Sequence, residues 1–128
     1  MAPTVLVVED NPANMKLATM LLERAGYRVL RAEYARDGIA LAREHVPQLV
    51  LMDIQLPGMD GLEATRALKV DPATRRIPVV ALTAFAMKRD EERIRAAGCD
   101  GYIAKPIDYK HLLSEVARWL APRARTTE

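Results

Sequence analysis

Leu49-Val50-Leu51-Met52-Asp53-Ile54-Gln55-Leu56-Pro57-Gly58-Met59-Asp60-Gly61 is the stretch on which the fold turns. Its four opening apolar residues are too few for a buried helix and read as a strand covered on both faces. The run stops on an acid, Asp53, and Pro57-Gly58 marks a turn. Asp60, with Glu63 three residues on, has the capping-box pattern that opens a helix.

The same unit recurs on either side. Residues 5–8 form a β-branched run ending in Glu9-Asp10, and Asn11-Pro12 reads as an N-cap followed by proline at the first helical position. Leu17, Leu21 and Leu22 continue at helical spacing until Gly26 stops the helix. A weaker strand is expected over 27–32 and a helix over 35–44, broken by Pro47. Further on come a strand over 77–82, a charged helix over 87–97 and a short strand over 102–104. Asp108 caps a last helix whose Leu112, Leu113, Val116 and Leu120 share one face.

Five strand–helix units imply a parallel sheet with helices on both faces. They are too few for an eight-fold barrel. The expected fold is therefore α/β, a flavodoxin-like doubly wound (βα)5 domain with strand order 2-1-3-4-5. The domain is expected over 1–121, with 122–128 a frayed tail.

The chain has 128 residues, half of them hydrophobic and 28% charged, which excludes intrinsic disorder. Scaling of surface with mass has about two-thirds of the unfolded surface buried, enough for a core without disulfides. No apolar run approaches the roughly 18 residues of a membrane span, so no membrane insertion is expected. The single cysteine, Cys99, rules out an intrachain disulfide and suits a reducing, cytoplasmic setting. Residues 1–64 carry six bases and nine acids, and 65–128 carry thirteen and eight. The later bases are interleaved with acids, as in Lys88-Arg89-Asp90-Glu91-Glu92-Arg93, and carry no aromatic platform, so no direct nucleic-acid contact is expected.

Ligands of open parallel sheets sit outside the carboxyl ends of the strands. The topology brings Glu9 and Asp10 from strand 1, Asp53 from strand 3, Thr83 from strand 4 and Lys105-Pro106 from strand 5 to that rim. Singly, each reads as a cap, a turn residue or a surface charge. Together, three carboxylates repel one another unless a cation lies between them, and oxygen donors without histidine or cysteine favour Mg²⁺. An ammonium and a hydroxyl beside such a metal make a set of parts for phosphoryl transfer, with Asp53 as carboxylate nucleophile.

These residues carry a resemblance. Val7-Val8-Glu9-Asp10-Asn11, the stretch from Met52 to Gly61, Ala81-Leu82-Thr83-Ala84 and Lys105-Pro106 resemble the response-regulator receiver domains of two-component signalling, over residues 4 to about 120. The segment from Thr83 through Arg95, with Gly98-Cys99, is similar to DivK-type single-domain regulators of bacterial cell-cycle signalling. The resemblance implies that Asp53 accepts a phosphoryl group from a sensor histidine kinase or a histidine phosphotransfer protein. It implies Mg²⁺ on Asp10, Asp53 and the backbone carbonyl of Gln55, with Glu9 acting directly or through water. Thr83 and Lys105 would contact phosphoryl oxygens, and Pro106 would follow a cis peptide that fixes the lysine. Tyr102 occupies the position of the family's switch aromatic, which turns inward as Thr83 moves toward the phosphate.

Output is then expected as phosphorylation-dependent binding of a downstream protein through the face of helix 4, strand 5 and helix 5, with Met87, Arg93, Tyr102 and Tyr109 as candidate contacts. Homodimer formation on phosphorylation stays open. The protein is expected to be no enzyme beyond its own phosphorylation and dephosphorylation. A small aspartyl-phosphate phosphohydrolase would need a proton-transferring acid where Gln55 stands. A phosphate-independent adaptor has no use for the intact acids, Thr83 and Lys105. A flavin carrier is disfavoured by Glu9-Asp10-Asn11, which would repel its phosphate. Cys99 is expected in the core, and His45 and His111 in solvent.

Overall fold

A computed structural model of the chain describes residues 2–84 and 88–121. Ten elements alternate: β1 (Thr4–Val8), α1 (Pro12–Arg24), β2 (Arg28–Ala32), α2 (Ala35–His45), β3 (Leu49–Asp53), α3 (Gly61–Val70), β4 (Val79–Thr83), α4 (Lys88–Ala96), β5 (Gly101–Ala104) and α5 (Tyr109–Leu120). The strands form one parallel sheet in the order β2-β1-β3-β4-β5, the doubly wound arrangement expected. No helix among the described residues is long and apolar enough to cross a membrane.

Strand alternation divides the core in two. Val5, Val7, Leu49, Leu51, Val80, Leu82 and Ile103 point to the face covered by α1 and α5. Leu6, Val8, Val50, Met52, Val79 and Ala81 point to the face packed against α2, α3 and α4. Every residue of β3 and β4 is buried, as central strands of a two-sided sheet require. The strand order places Asp53, at the end of β3, in the middle of the rim.

Helix ends follow local chemistry. Asn11 Oδ1 accepts from Asn14 N–H at 3.0 Å with Pro12 at the first helical position. Asp60 and Glu63 close both halves of the capping box on α3. α1 ends in a Schellman motif: Gly26 N–H donates to Glu23 O and Tyr27 N–H to Leu22 O, with Gly26 at φ 98°. Cys99 N–H to Ile94 O and Gly98 N–H to Arg95 O repeat it after α4.

Most boundaries fall within a residue of the sequence expectation, and those of β4 and α2 have a clear physical cause. β4 begins at Val79 rather than 77, because the Ile77 N–H is spent on Thr74 O in the turn after α3 and Pro78 has no N–H to give. It extends to Thr83, whose carbonyl accepts from Lys105 N–H at 2.7 Å. α2 is stopped by Val46, which adopts a left-handed φ of 45° ahead of Pro47. The expected start of α4 at Met87 and the expected tail over 122–128 lie outside the described residues.

Cys99 is buried with its Sγ 3.7 Å from Thr65 Oγ1, and burial pushes the thiol pKa up. His45 and His111 are exposed. Because the capping box satisfies backbone donors at the start of α3 from both sides, Asp60→Ala should cost about 1 kcal/mol of unfolding free energy. Urea titration followed by circular dichroism measures it, and the loss should appear as a lower midpoint with an unchanged slope.

Candidate functional site

Each acid reaches the rim because a strand ends there. β1 runs out at Val8, so Glu9 and Asp10 follow at its carboxyl end; Asp53 closes β3, the strand paired with β1. Glu9 is 1% and Asp53 2% exposed, and Asp10 is the member that faces solvent. One carboxylate oxygen from each lies within 4.8 Å of the other two.

Like charges so close destabilise one another, and two features offset the repulsion. The Lys105 ammonium donates to Asp53 Oδ2 at 3.0 Å and lies 3.0 Å from Glu9 Oε1, an ion pair without an aligned hydrogen bond. The remaining oxygens take backbone donors: Asn11 N–H reaches Glu9 Oε2 at 3.1 Å and Gln55 N–H reaches Asp53 Oδ1 at 2.9 Å. Burial is the largest influence on Glu9, followed by its contact with Asp53, and together they raise its pKa over the pull of Asn11 and Lys105. Burial also works against the Lys105 charge, but Asp53 and Glu9 outweigh it and the ammonium pKa is raised.

Oxygen donors on opposite vertices of a magnesium octahedron stand about 4.2 Å apart. The three carboxylate oxygens lie within 4.8 Å of one another, and drawing them together around a hard divalent cation suits their all-oxygen donor set. Among the described residues no histidine or cysteine joins this cluster.

Thr83 is fully buried, one position beyond the Leu82 that pairs with Asp53. Lys105 follows β5, and its peptide bond to Pro106 is cis. Gln55 is exposed, two residues past Asp53. Tyr102 lies farther down β5, half-buried and paired with Ala81, its hydroxyl donating to Glu91 Oε1 at 2.6 Å. Arg93 and Tyr109 are exposed on α4 and α5, while Met87 lies outside the described residues.

Sequence reasoning assigned no role to Gly61. A Cβ there would collide with the carbonyl oxygen of Asp53 and come within 2.6 Å of Ile54 Cα. Gly61 N–H also donates to Ile54 O at 3.3 Å, so α3 starts hard against the backbone of the central acid. The available signal was a glycine immediately after an N-cap, where a better helix former would ordinarily stand.

An open doubly wound domain that gathers three carboxylates, a lysine and a buried threonine at one rim defines the class. The chain belongs to the response regulator receiver domain family, whose model matches residues 5–117. It is 51% identical over 120 residues to the polar-differentiation response regulator DivK of Brucella ovis, covering 94% of this chain and 98% of that protein. Among solved structures, the chemotaxis protein CheY4 of Vibrio cholerae superposes with a TM-score of 0.89 at 26% identity, covering 94% of this chain and 100% of that one. The receiver domain of a sensor histidine kinase from Pseudomonas aeruginosa gives 0.86 at 35% identity, covering 93% and 98%; it was solved with a magnesium ion coordinated in the active-site cleft.

Three outcomes follow from this geometry. Asp10→Asn should weaken Mg²⁺ binding in calorimetry while leaving the metal-free fold as stable or more so, since it relieves crowding among the acids. Because the folded-state pKa of Glu9 is raised, its contribution to stability is fully present below the ordinary 4.5 and is lost as pH rises through the folded value. In chelator, the stability of Glu9→Gln relative to wild type should therefore grow as pH is raised from the acid side toward neutrality. Gly61→Ala should cost about 1–3 kcal/mol in denaturant titrations, through overpacking against the Asp53 backbone.

Proposed function

We propose that this chain is a single-domain response regulator in which Asp53 accepts a phosphoryl group from a phosphohistidine of a sensor histidine kinase or phosphotransfer protein. The observation that carries the reading is the Lys105 ammonium held 3.0 Å from both Asp53 and Glu9 at a rim where Asp10 adds a third carboxylate. The family match and the DivK relatives support it.

In the transfer, an Asp53 carboxylate oxygen forms the new O–P bond as the donor's P–N bond breaks, and the electron pair leaves with the imidazole. Glu9, Asp10, Asp53 and the Gln55 carbonyl are the groups that would hold Mg²⁺, which when bound supplies positive charge against the phosphoryl oxygens. Lys105 supplies a second positive charge from the opposite strand, and the Thr83 hydroxyl donates a hydrogen bond to a phosphoryl oxygen. Gln55 cannot serve as a general acid or base toward an attacking water, so the acyl phosphate persists long enough to act as a signal. The chain thus modifies only itself, in a bacterial cytoplasm, and its output is a protein contact.

The signal runs along β4 and β5. Ala81 packs on the α2–α3–α4 face, so by alternation Thr83 points to the same side, and the half-buried Tyr102 on the adjacent strand packs against that core. Movement of Thr83 toward a phosphoryl group alters what Tyr102 packs against, and with it the face of α4, β5 and α5. A partner reads the change only if it binds the two arrangements with different affinity.

With Mg²⁺ and a kinase or small phosphodonor, one phosphoryl group should be taken up, acid-stable and hydroxylamine-labile. Asp53→Asn should abolish it; label that survives and maps to serine or histidine overturns the chemistry. Thr83→Ala should leave Asp53 phosphorylatable and uncouple it from partner binding. Amide exchange with and without beryllofluoride should show changes reaching residues 84–110 in wild type and stopping at the acidic rim in Thr83→Ala.

A further inference from the structure

We propose that Glu91 is a positioning residue for the switch: its carboxylate holds Tyr102 outward and thereby sets how far the unphosphorylated protein lies toward the active arrangement. The proposal rests on the reading of Thr83 and Tyr102 as the moving pair and goes beyond it, because it names what opposes the movement.

The Tyr102 hydroxyl donates to Glu91 Oε1 at 2.6 Å, short for this kind of bond and typical of a charged acceptor. Contact with Glu91 is also the largest of the influences that raise the phenol pKa, as donation to a carboxylate, which can only accept, requires. The two residues stand on different elements, β5 and the first turn of α4, so the bond ties the strand's aromatic to the helix that follows Thr83. Glu91 is half-buried, whereas its neighbours Glu92 and Arg93 are exposed. Among the described residues no ion pair involves Glu91, although Asp90 beside it pairs with Arg93 at 3.7 Å and Arg118 pairs with Glu115 on α5. Its carboxylate is therefore aimed at the phenol rather than at a neighbouring cation.

An inward Tyr102 cannot keep this bond, since the ring must leave α4 to follow Thr83. The bond thus exists in one arrangement only, and a contact made in one state alone shifts the equilibrium toward that state. Removing it raises the fraction of protein already competent for the phosphorylated form, and linkage requires a phosphoryl mimic to bind tighter in proportion. Glu91 also lies near the positive end of the α4 dipole, and a purely helix-stabilising role is the alternative to exclude.

The test compares Glu91→Ala, Glu91→Gln and Tyr102→Phe in the full chain. Each is labelled with 3-fluorotyrosine, and Tyr102→Phe assigns the resonance. Glu91→Ala should move the Tyr102 fluorine signal of the unphosphorylated protein toward its position in the beryllofluoride complex. It should also tighten beryllofluoride–Mg²⁺ binding about threefold to tenfold, the range for losing a half-exposed hydrogen bond to a carboxylate. Glu91→Gln keeps an accepting oxygen but loses its charge and should fall between wild type and Glu91→Ala, whereas a helix-dipole role predicts that it matches Glu91→Ala. In a Tyr102→Phe background, Glu91→Ala should have no further effect on beryllofluoride affinity. An unmoved fluorine signal in Glu91→Ala, or equal effects of alanine and glutamine, overturns the proposal. A wild type that binds no beryllofluoride overturns the phosphoacceptor reading instead, and the fluorine signal of the resting protein still decides whether Glu91 holds the ring.

Discussion

Lys105 Nζ stands 3.0 Å from Glu9 Oε1 and 3.0 Å from Asp53 Oδ2, two carboxylates that are almost wholly removed from solvent. Leaving one such acid buried and uncompensated is costly, and the Lys105 ammonium offsets that cost. Three strands have to end at one level for this to happen. β1 delivers Glu9, β3 delivers Asp53, and β5, two strands away from β3, delivers Lys105 across the end of β4. The site is therefore a statement about sheet register, and the register is set by the apolar alternation that fills both faces.

The backbone is built to hold that register at the functional end. Lys105 N–H donates to the Thr83 carbonyl, so the position of the lysine depends on the strand that carries the buried hydroxyl. Gly61 lets α3 start against the Asp53 carbonyl, and the capping box at Asp60 and Glu63 fixes where that start falls. At the opposite end of the sheet, Lys69 Nζ reaches Ile77 O and Asp100 Oδ2, both at 2.9 Å, while the same Asp100 oxygen accepts from Val79 N–H. That knot anchors the starts of β4 and β5. Both strands are thus pinned at the end far from the rim.

The acidic rim and Tyr102 lie at the same side of the sheet, linked by β4. The crowded carboxylates suit the site to a cation, which relieves charge that Lys105 only partly offsets. Tyr102 shares a sheet face with Thr83 but donates its hydroxyl away from the rim, toward α4. Thr83 and Tyr102 therefore sit on neighbouring strands of one face, two strands at most from Asp53.

Much of this was written locally. Continuous apolar runs ending in acids announced parallel strands, and Asn11, Asp60, Asp108, Gly26 and Gly98 announced helix limits, because each satisfies or terminates backbone hydrogen bonding within a few residues of itself. The convergence of Glu9, Asp10, Asp53, Thr83 and Lys105 was also legible, since a doubly wound sheet sends all strand ends to one rim. The boundaries that shifted were those decided by competition: Ile77 gives its N–H to a turn instead of a ladder, and Val46 accepts a left-handed backbone because the chain must reverse before Pro47. What tertiary structure alone decided is contact between side chains distant in sequence. That Lys105 is shared by Glu9 and Asp53, that a methyl group on Gly61 has no room, and that Tyr102 donates to Glu91 depend on distances of a few ångströms across elements. Sequence periodicity orders residues along an element and onto a face; only packing fixes the separation between faces, and at these separations charge and hydrogen bonding change most steeply.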